Sequence, residues 1–259
     1  MHQIPLTETK PSITIFFPAY NDEGSIAMLV QKALTLLPQL THDYEVIVVN
    51  DGSQDGTAAV LDALARTEPK LRVIHHPSNR GYGGALQTGF RHATKDLIFY
   101  TDGDGQYDVD ELARLLPLLC DDVEVVNGYK RKRADKQQRI ILGGIYQRLA
   151  RTLFGLPIRD VDCDFRLLRR HAIQSIALHS ISGCICTEMI YKLHATGYRF
   201  AETPVHHYAR LHGQSQFFTL RRVARTAADF FALWLKLIVK PRLTFSPAAQ
   251  RKQVIPERG

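Results

Sequence analysis

The sequence predicts an α/β fold: three α/β/α layers around a mostly parallel sheet, with a C-terminal amphipathic helix. Three observations predict it. Short β-branched runs alternate with helical patterns through the first half of the chain. Carboxylates gather just after the strands rather than within them. A basic amphipathic stretch follows once the alternation has stopped.

Taken in order, residues 12–17 read as a strand and 25–37 as a helix. The run 44–49 is a second strand, followed by a turn and a helix over 57–66. Residues 72–76 form a third strand and 84–93 a third helix. A fourth strand spans 97–101, a helix 108–119 and a fifth strand 123–127. Such alternation requires right-handed crossovers and a sheet covered on both faces. Ligands of such sheets bind beyond the carboxyl ends of the strands.

After residue 128 the pattern changes. A basic loop at 130–136 precedes an amphipathic helix over 138–154. A short strand at 165–168, a helix at 186–195 and a late strand at 199–207 follow. The chain divides into an N-terminal tail (1–11), one large domain (12–216), an amphipathic helical extension (217–240) and a C-terminal tail (241–259).

Composition narrows the function. The 259 residues are 45% hydrophobic and 23% charged, ordinary globular values that exclude disorder and collagen. Four cysteines without a Cys-x-x-Cys do not make a disulfide framework, so a reducing compartment is expected. The spacing of Cys184 and Cys186 does not suit a closed zinc site. No signal peptide is visible, and no run is long and apolar enough to span a bilayer.

Charge is segregated. Residues 1–128 hold 9 Lys/Arg against 18 Asp/Glu, and residues 129–259 hold 24 against 8. The first half can hold a metal ion, and the second can hold phosphate or an anionic membrane surface. The acidic half speaks against a nucleic-acid binder.

The carboxylates concentrate in Asn21-Asp22-Glu23, in Asp51-Gly52-Ser53-Gln54-Asp55 and in Asp102-Gly103-Asp104. Each cluster alone reads as turn chemistry. Three at strand ends point to a site. Asp102 and Asp104 share a face in an extended segment, and such oxygens suit Mg²⁺ or Mn²⁺ with phosphate oxygens completing the shell. Gly81-Tyr82-Gly83-Gly84-Ala85-Leu86 is not a dinucleotide fingerprint, because Leu86 stands where the third glycine belongs. Its glycines are expected to let backbone pass close to a nucleotide.

These pieces resemble family 2 glycosyltransferases of the GT-A fold. They are Pro18-Ala19-Tyr20-Asn21-Asp22-Glu23, Asp51-Gly52-Ser53-x-Asp55-Gly56-Thr57, Asn79-Arg80-Gly81-x-Gly83-x-Ala85 and Thr101-Asp102-Gly103-Asp104-Gly105-Gln106-Tyr107. Two later segments resemble the polyprenyl-phosphate hexosyltransferase branch: Asp160-Val161-Asp162-Cys163-Asp164-Phe165-Arg166-Leu167 and Pro204-Val205-x-His207-x-x-Arg210-x-x-Gly213-x-Ser215. The resemblance implies that Pro18, Tyr20, Glu23, Asn50 and Asp51 line the nucleotide. The family box usually begins Asp-Asp, and here Asn50 takes the first place. Asp102 and Asp104 would hold the metal, Asp102 would also meet the ribose, and Gln106 would orient the sugar. Arg131, Arg133, Arg139, Arg210 and Ser215 would bind phosphate. Asp160 and Glu188 would stand at the catalytic centre, as positioner or base according to the acceptor. Asp160, Asp162 and Asp164 share a face if their segment is extended.

The implied reaction is inverting transfer of a hexose from a GDP- or UDP-sugar to a polyprenyl phosphate. A soluble acceptor is the alternative, and a non-catalytic nucleotide-sugar binder the second. The segment 217–240 is read either as an interfacial helix or as a packed one, and the former implies peripheral attachment at the cytoplasmic face of a membrane. Oligomeric state is left open.

Overall fold

A computed structural model describes residues 10–120, 122–131, 137–210 and 220–240, with the side chains of 137–139 and 220–222 outside that description. Two compact units divide at Ser215 and Gln216.

The first unit is built on seven strands: β1 (Ile13–Ala19), β2 (Tyr44–Asn50), β3 (Leu71–His75), β4 (Leu97–Thr101), β5 (Val125–Lys130), β6 (Phe165–Arg169) and β7 (Phe200–Val205). Its helices are α1 (Ile26–Leu40), α2 (Thr57–Thr67), α3 (Tyr82–His92), α4 (Leu112–Leu115), α5 (Gln137–Phe154), α6 (Arg170–Gln174) and α7 (Cys184–Ala195). The second unit contributes α8 (Leu220–Trp234), which continues as a π-helical turn over Leu235–Val239.

Strand order is β3-β2-β1-β4-β6-β5-β7. All seven residues of β1 are buried, as a central strand covered on both faces requires. Its side chains alternate between layers. Ile13, Ile15, Phe17 and Ala19 join the core made with α1, α2 and α4. Phe16 points the other way and stacks on Tyr100, with Phe90 of α3 edge-on to both rings. A Cβ at Gly89 would overlap the Phe16 ring, so that glycine sets how closely α3 approaches the sheet.

Strand β6 is antiparallel to both β4 and β5, while the other pairings are parallel. Six strands therefore present their carboxyl ends at one edge. Strand β6 begins at that same edge, with Phe165 paired to Thr101.

Some expectations shift. The predicted helix 108–119 is α4 flanked by 3₁₀ turns at Val109–Glu111 and Leu116–Leu118. Pro117 has no N–H to continue an α-helix there. The fifth strand starts two residues late, because Val123 N–H closes a turn on Cys120 O. Helix α6 was not foreseen.

Candidate active site

The first two strand-end loops interlock. Asn21, at φ 57°, donates its N–H to Ser53 Oγ and accepts from Gln54 N–H through Oδ1. Asp22 N–H reaches Thr57 Oγ1. Glu23 Oε2 accepts from Gly56 N–H at 2.7 Å at the start of α2, and its own N–H meets Asp55 Oδ2. Asp55 Oδ1 accepts from both Thr57 N–H and Thr57 Oγ1. Asp55, Thr57 and Glu23 thus brace the loops. Pro18 lies buried within β1, and its carbonyl accepts from Gly103 N–H.

A cleft of about 480 Å³ opens over the ends of β2 and β3, lined by Tyr20, Asn50, Ser53, His75, His76 and Asn79 among others. Both ends of the Asn50 amide are engaged. Its Oδ1 accepts from Ser53 N–H at 3.0 Å, and its Nδ2 donates to His75 Nδ1 at 2.9 Å. That fixes the proton of His75 on Nε2, 3.1 Å from Asp62 Oδ1. Asp51 Oδ1 accepts from His76 Nδ1 at 2.6 Å and from Arg80 N–H at 2.9 Å. His76 Nε2 lies 2.9 Å from Thr88 Oγ1 of α3. His75 and His76 stand at the end of a strand as the carboxylates do, but neither carries a charge pattern that marks it in the sequence.

The carboxylates after β4 meet those from other strand ends. Tyr82 Oη donates to Asp102 Oδ1 at 2.9 Å. Burial, then the neighbouring Asp164 and Asp104, push the Asp102 carboxyl well above the ordinary range. Burial also raises Asp22 to about 6, with Asp104 adding to it and Tyr20 N–H and Arg210 opposing. Asp104 Oδ1 accepts from Gln106 N–H, and Arg210 Nη2 sits on its Oδ2. Gln106 holds the Arg210 segment in place by bonding the Tyr208 backbone twice, donating from Nε2 to the carbonyl and accepting from the N–H on its own backbone carbonyl. Arg210 Nε is buried with no hydrogen-bond partner among the described residues.

No group of three or more His, Cys, Asp or Glu is arranged around a ready-made metal position among the described residues. The donor set still fits Mg²⁺ or Mn²⁺ bound together with a diphosphate. Asp102 and Asp104 offer hard oxygens, and a cation would offset both the burial and the neighbouring carboxylates that raise Asp102.

The segment that opens at Asp160 is a turn, not extended, with Cys163 N–H on Asp160 O. Its carboxylates therefore separate. Asp160 is buried and meets Lys130 N–H, Lys130 Nζ at 3.6 Å and Gln147 Nε2 of α5. Asp164 turns toward Asp102, accepting from Cys186 Sγ at 3.0 Å and pairing with Arg166. Arg166, on β6, is fully buried, and donates to Asn127 Oδ1, Tyr100 Oη and Val161 O. A buried guanidinium is tolerable only with such a set of partners.

Glu188 is enclosed on α7. Its carboxylate accepts from His179 N–H, Ser180 N–H and Lys192 Nζ. Burial alone would raise it, yet these donors hold it below the usual range. It anchors the 179–181 segment against α3. Gly83 N–H bonds Ile181 O, and a Cβ at Gly81 or Gly83 would overlap the carbonyls of Ile181 or Ser180. The glycines make room for protein backbone rather than for a nucleotide. Arg131 is exposed, its N–H on Val205 O. Arg133 and Ser215 lie outside the described residues, as does the Arg139 side chain.

Residues 14–177 match the family described as Glycosyl transferase family 2. The chain belongs to that family. A curated relative, the undecaprenyl-phosphate 4-deoxy-4-formamido-L-arabinose transferase of Enterobacter sp. (strain 638), is 31% identical over 213 residues. The match covers 82% of this chain and 64% of that protein, so this chain spans under two thirds of the relative's length. The fold is GT-A. It is shared with glucosyl-3-phosphoglycerate synthase of Mycobacterium tuberculosis in complex with Mn²⁺, UDP and phosphoglyceric acid (TM-score 0.67, 18% identity, 87% of this chain and 78% of that one). The same enzyme in complex with Mg²⁺ and UDP gives a TM-score of 0.66 at 17% identity, over 87% of this chain and 79% of that one.

Proposed function

We propose that this family 2 glycosyltransferase moves a hexose, with inversion, from a nucleotide diphosphate sugar to a polyprenyl phosphate. The observation that carries the reading is the meeting of Asp104 with Arg210, a buried carboxylate beside a guanidinium whose Nε has no partner among the described residues. One group suits a cation, the other a phosphate, and a metal-bound diphosphate offers both. The curated relative's name supports the lipid-phosphate acceptor.

In this reading the cleft over β2 and β3 receives the nucleoside. Asp51, held by His76, meets the base, and Asn50 and Tyr20 line the cleft. Asp102 and Asp104 would hold Mg²⁺ or Mn²⁺, with Tyr82 orienting Asp102. When bound, the cation supplies Lewis-acid stabilisation of the leaving diphosphate. Arg210 binds the same phosphates by its planar fork. The acceptor's phosphate oxygen attacks the anomeric carbon on the face opposite the diphosphate. The new C–O bond forms as the old one breaks, and the electron pair leaves on the diphosphate. A phosphate monoester is already ionised near neutral pH, so a strong base is not needed. Asp160 and Glu188 then act by positioning, Asp160 through Lys130 and α5, Glu188 through the 179–181 segment. Lys130 and Arg131, where β5 ends, lie on the acceptor side.

Nucleotide release from GDP- and UDP-sugars with Mg²⁺ or Mn²⁺, with and without a short, water-soluble polyprenyl phosphate, tests this. Release stimulated by the lipid phosphate is expected. Turnover with phosphoglycerate alone would assign a soluble acceptor, and nucleotide-sugar binding without turnover would leave a binding protein.

A further inference from the structure

A chain of side chains runs from the surface of α2 to the loops that frame the cleft over β2 and β3. Its members are Asp62, His75, Asn50, Ser53 and Asn21. Asn50 and His75 are partners in the parallel β2–β3 register, so their side chains leave the sheet on one face. Each link dictates the next. Ser53 N–H can only donate, so it takes Oδ1 of Asn50 and turns Nδ2 the other way. Nδ2 can only donate, so His75 accepts at Nδ1. The ring proton then sits on Nε2, where Asp62 Oδ1 accepts it at 3.1 Å. Neither His75 nor Asp62 has a part in the transfer step proposed above.

The arrangement suits one protonation state of the ring. A second proton has only Nδ1 to occupy, and there it would face the two hydrogens of Asn50 Nδ2. Turning the amide over gives no relief, because Ser53 N–H would then meet Nδ2. Asn50 is 3% exposed, so an amide nitrogen that loses His75 finds little water in its place. The side chains of His75 and Asp62 are 37% and 56% exposed, so a charged ring can turn outward with Asp62. Asp62 is the charged group on the ring from α2, with exposed Arg66 one turn further along that helix. On the β2 side the ring meets the neutral Asn50, while His76 turns to Asp51 and Thr88. Tyr20 is the remaining titratable side chain lining the cleft. An aspartate at position 50 would accept from both Ser53 N–H and a protonated ring. The asparagine found there matches a neutral one.

We propose that His75, oriented by Asp62, is a positioning residue for the donor: while neutral, it holds the Asn50 amide and the Ser53 turn against the nucleoside. Donor and neutral ring then favour each other, so acid weakens donor binding and bound donor resists protonation of His75. This rests on the reading that the cleft receives the nucleoside, whereas the tautomer of His75 does not.

The test is calorimetry on the full chain with UDP-glucose and GDP-mannose, Mg²⁺ present throughout. Neither probe carries a phosphate monoester, whose second ionisation at about pH 6 would blur the profile. Affinity for the bound probe is expected to fall roughly tenfold from about pH 8 to about pH 5.5. Asp22 titrates in the same range, so the comparison is between variants. His75→Asn offers an uncharged acceptor near the place of Nδ1. It should bind like wild type at the higher pH and lose clearly less at the lower. His75→Ala should bind weakly at both. The ring itself needs no substitution: its ¹⁵N shifts should show the Nε2–H tautomer, and its titration midpoint should fall when donor is bound. An Nδ1–H tautomer, a midpoint that donor leaves unmoved, or a pH slope in His75→Asn equal to that of wild type would each overturn the inference alone. Binding of neither sugar nucleotide would sink the donor reading and this inference with it.

Discussion

The guanidinium of Arg210 rests on Asp104 Oδ2 across 106 residues of chain. Gln106 makes that possible, because its two bonds to the Tyr208 backbone dock the late segment onto the β4 turn. On the proposed reading Arg210 pairs with a carboxylate that would also hold a divalent cation, and with the cation bound Arg210 would be free to grip phosphate. Arg210→Ala is then expected to tighten Mn²⁺ binding to the nucleotide-free protein several-fold, since a competing charge is gone. Transfer should fall roughly a hundredfold, the scale of one lost transition-state donor. Mn²⁺ titration by electron paramagnetic resonance reads the first effect and steady-state kinetics the second. Unchanged Mn²⁺ affinity would mean that the pair and the metal do not compete.

His76 offers a second test. It bonds Asp51 with one ring nitrogen and Thr88 with the other, so it fixes where the Asp51 carboxylate points. His76→Ala should weaken UDP or GDP binding by roughly tenfold, about the worth of one hydrogen bond to a charged group. The effect should appear in the donor KM far more than in kcat. Thr88→Val should show the same pattern more weakly. A pure loss of kcat would place His76 in the chemistry instead.

How far the sequence carried can be judged from these residues. The strands of the first half were legible because each is a short β-branched run, and their carboxylates because they follow those runs. His76 was not, since its significance lies in Asp51, 25 residues earlier. Nor could local pattern reveal that β6 runs antiparallel. That reversal brings Asp164, just before Phe165, beside Asp102, just after Thr101. The amphipathicity of α5 was readable, but which face meets water depends on Gln147 and Tyr146 finding partners in Asp160 and Thr187.

Asp22 carries a pH dependence. Its folded-state pKa of about 6 lies above the ordinary 3.8, so between those values the folded protein binds more protons than the unfolded chain. Stability from this group is therefore greatest below about pH 4 and declines as pH rises through about 6. Asp22→Asn keeps an oxygen for Tyr20 N–H and removes the buried charge. The variant should be more stable than wild type at pH 7, by roughly 1–3 kcal/mol, with the gap closing near pH 4. Urea titrations at the two pH values check both the sign and the window. A gap that widened toward pH 4 would contradict it.

Glu188 separates an anchor from a base. A base needs a lone pair facing the acceptor, whereas here the carboxylate accepts from two backbone N–H groups and an ammonium. Removing it takes the acceptor from both backbone N–H groups, leaves Lys192 with Ala177 O, and loosens the segment on which Gly83 N–H depends. Glu188→Ala is expected to cost roughly 2–4 kcal/mol of unfolding free energy. Glu188→Gln keeps an acceptor oxygen and should lose less stability, while its turnover per folded molecule stays within a few-fold of wild type. A proton acceptor would give the reverse pattern, with Glu188→Gln melting normally but nearly inactive and its loss growing as pH rises. Melting curves and kcat against pH for the two variants decide between these roles. A result for the base would also favour a hydroxyl acceptor, because a phosphate that arrives ionised has no proton to give.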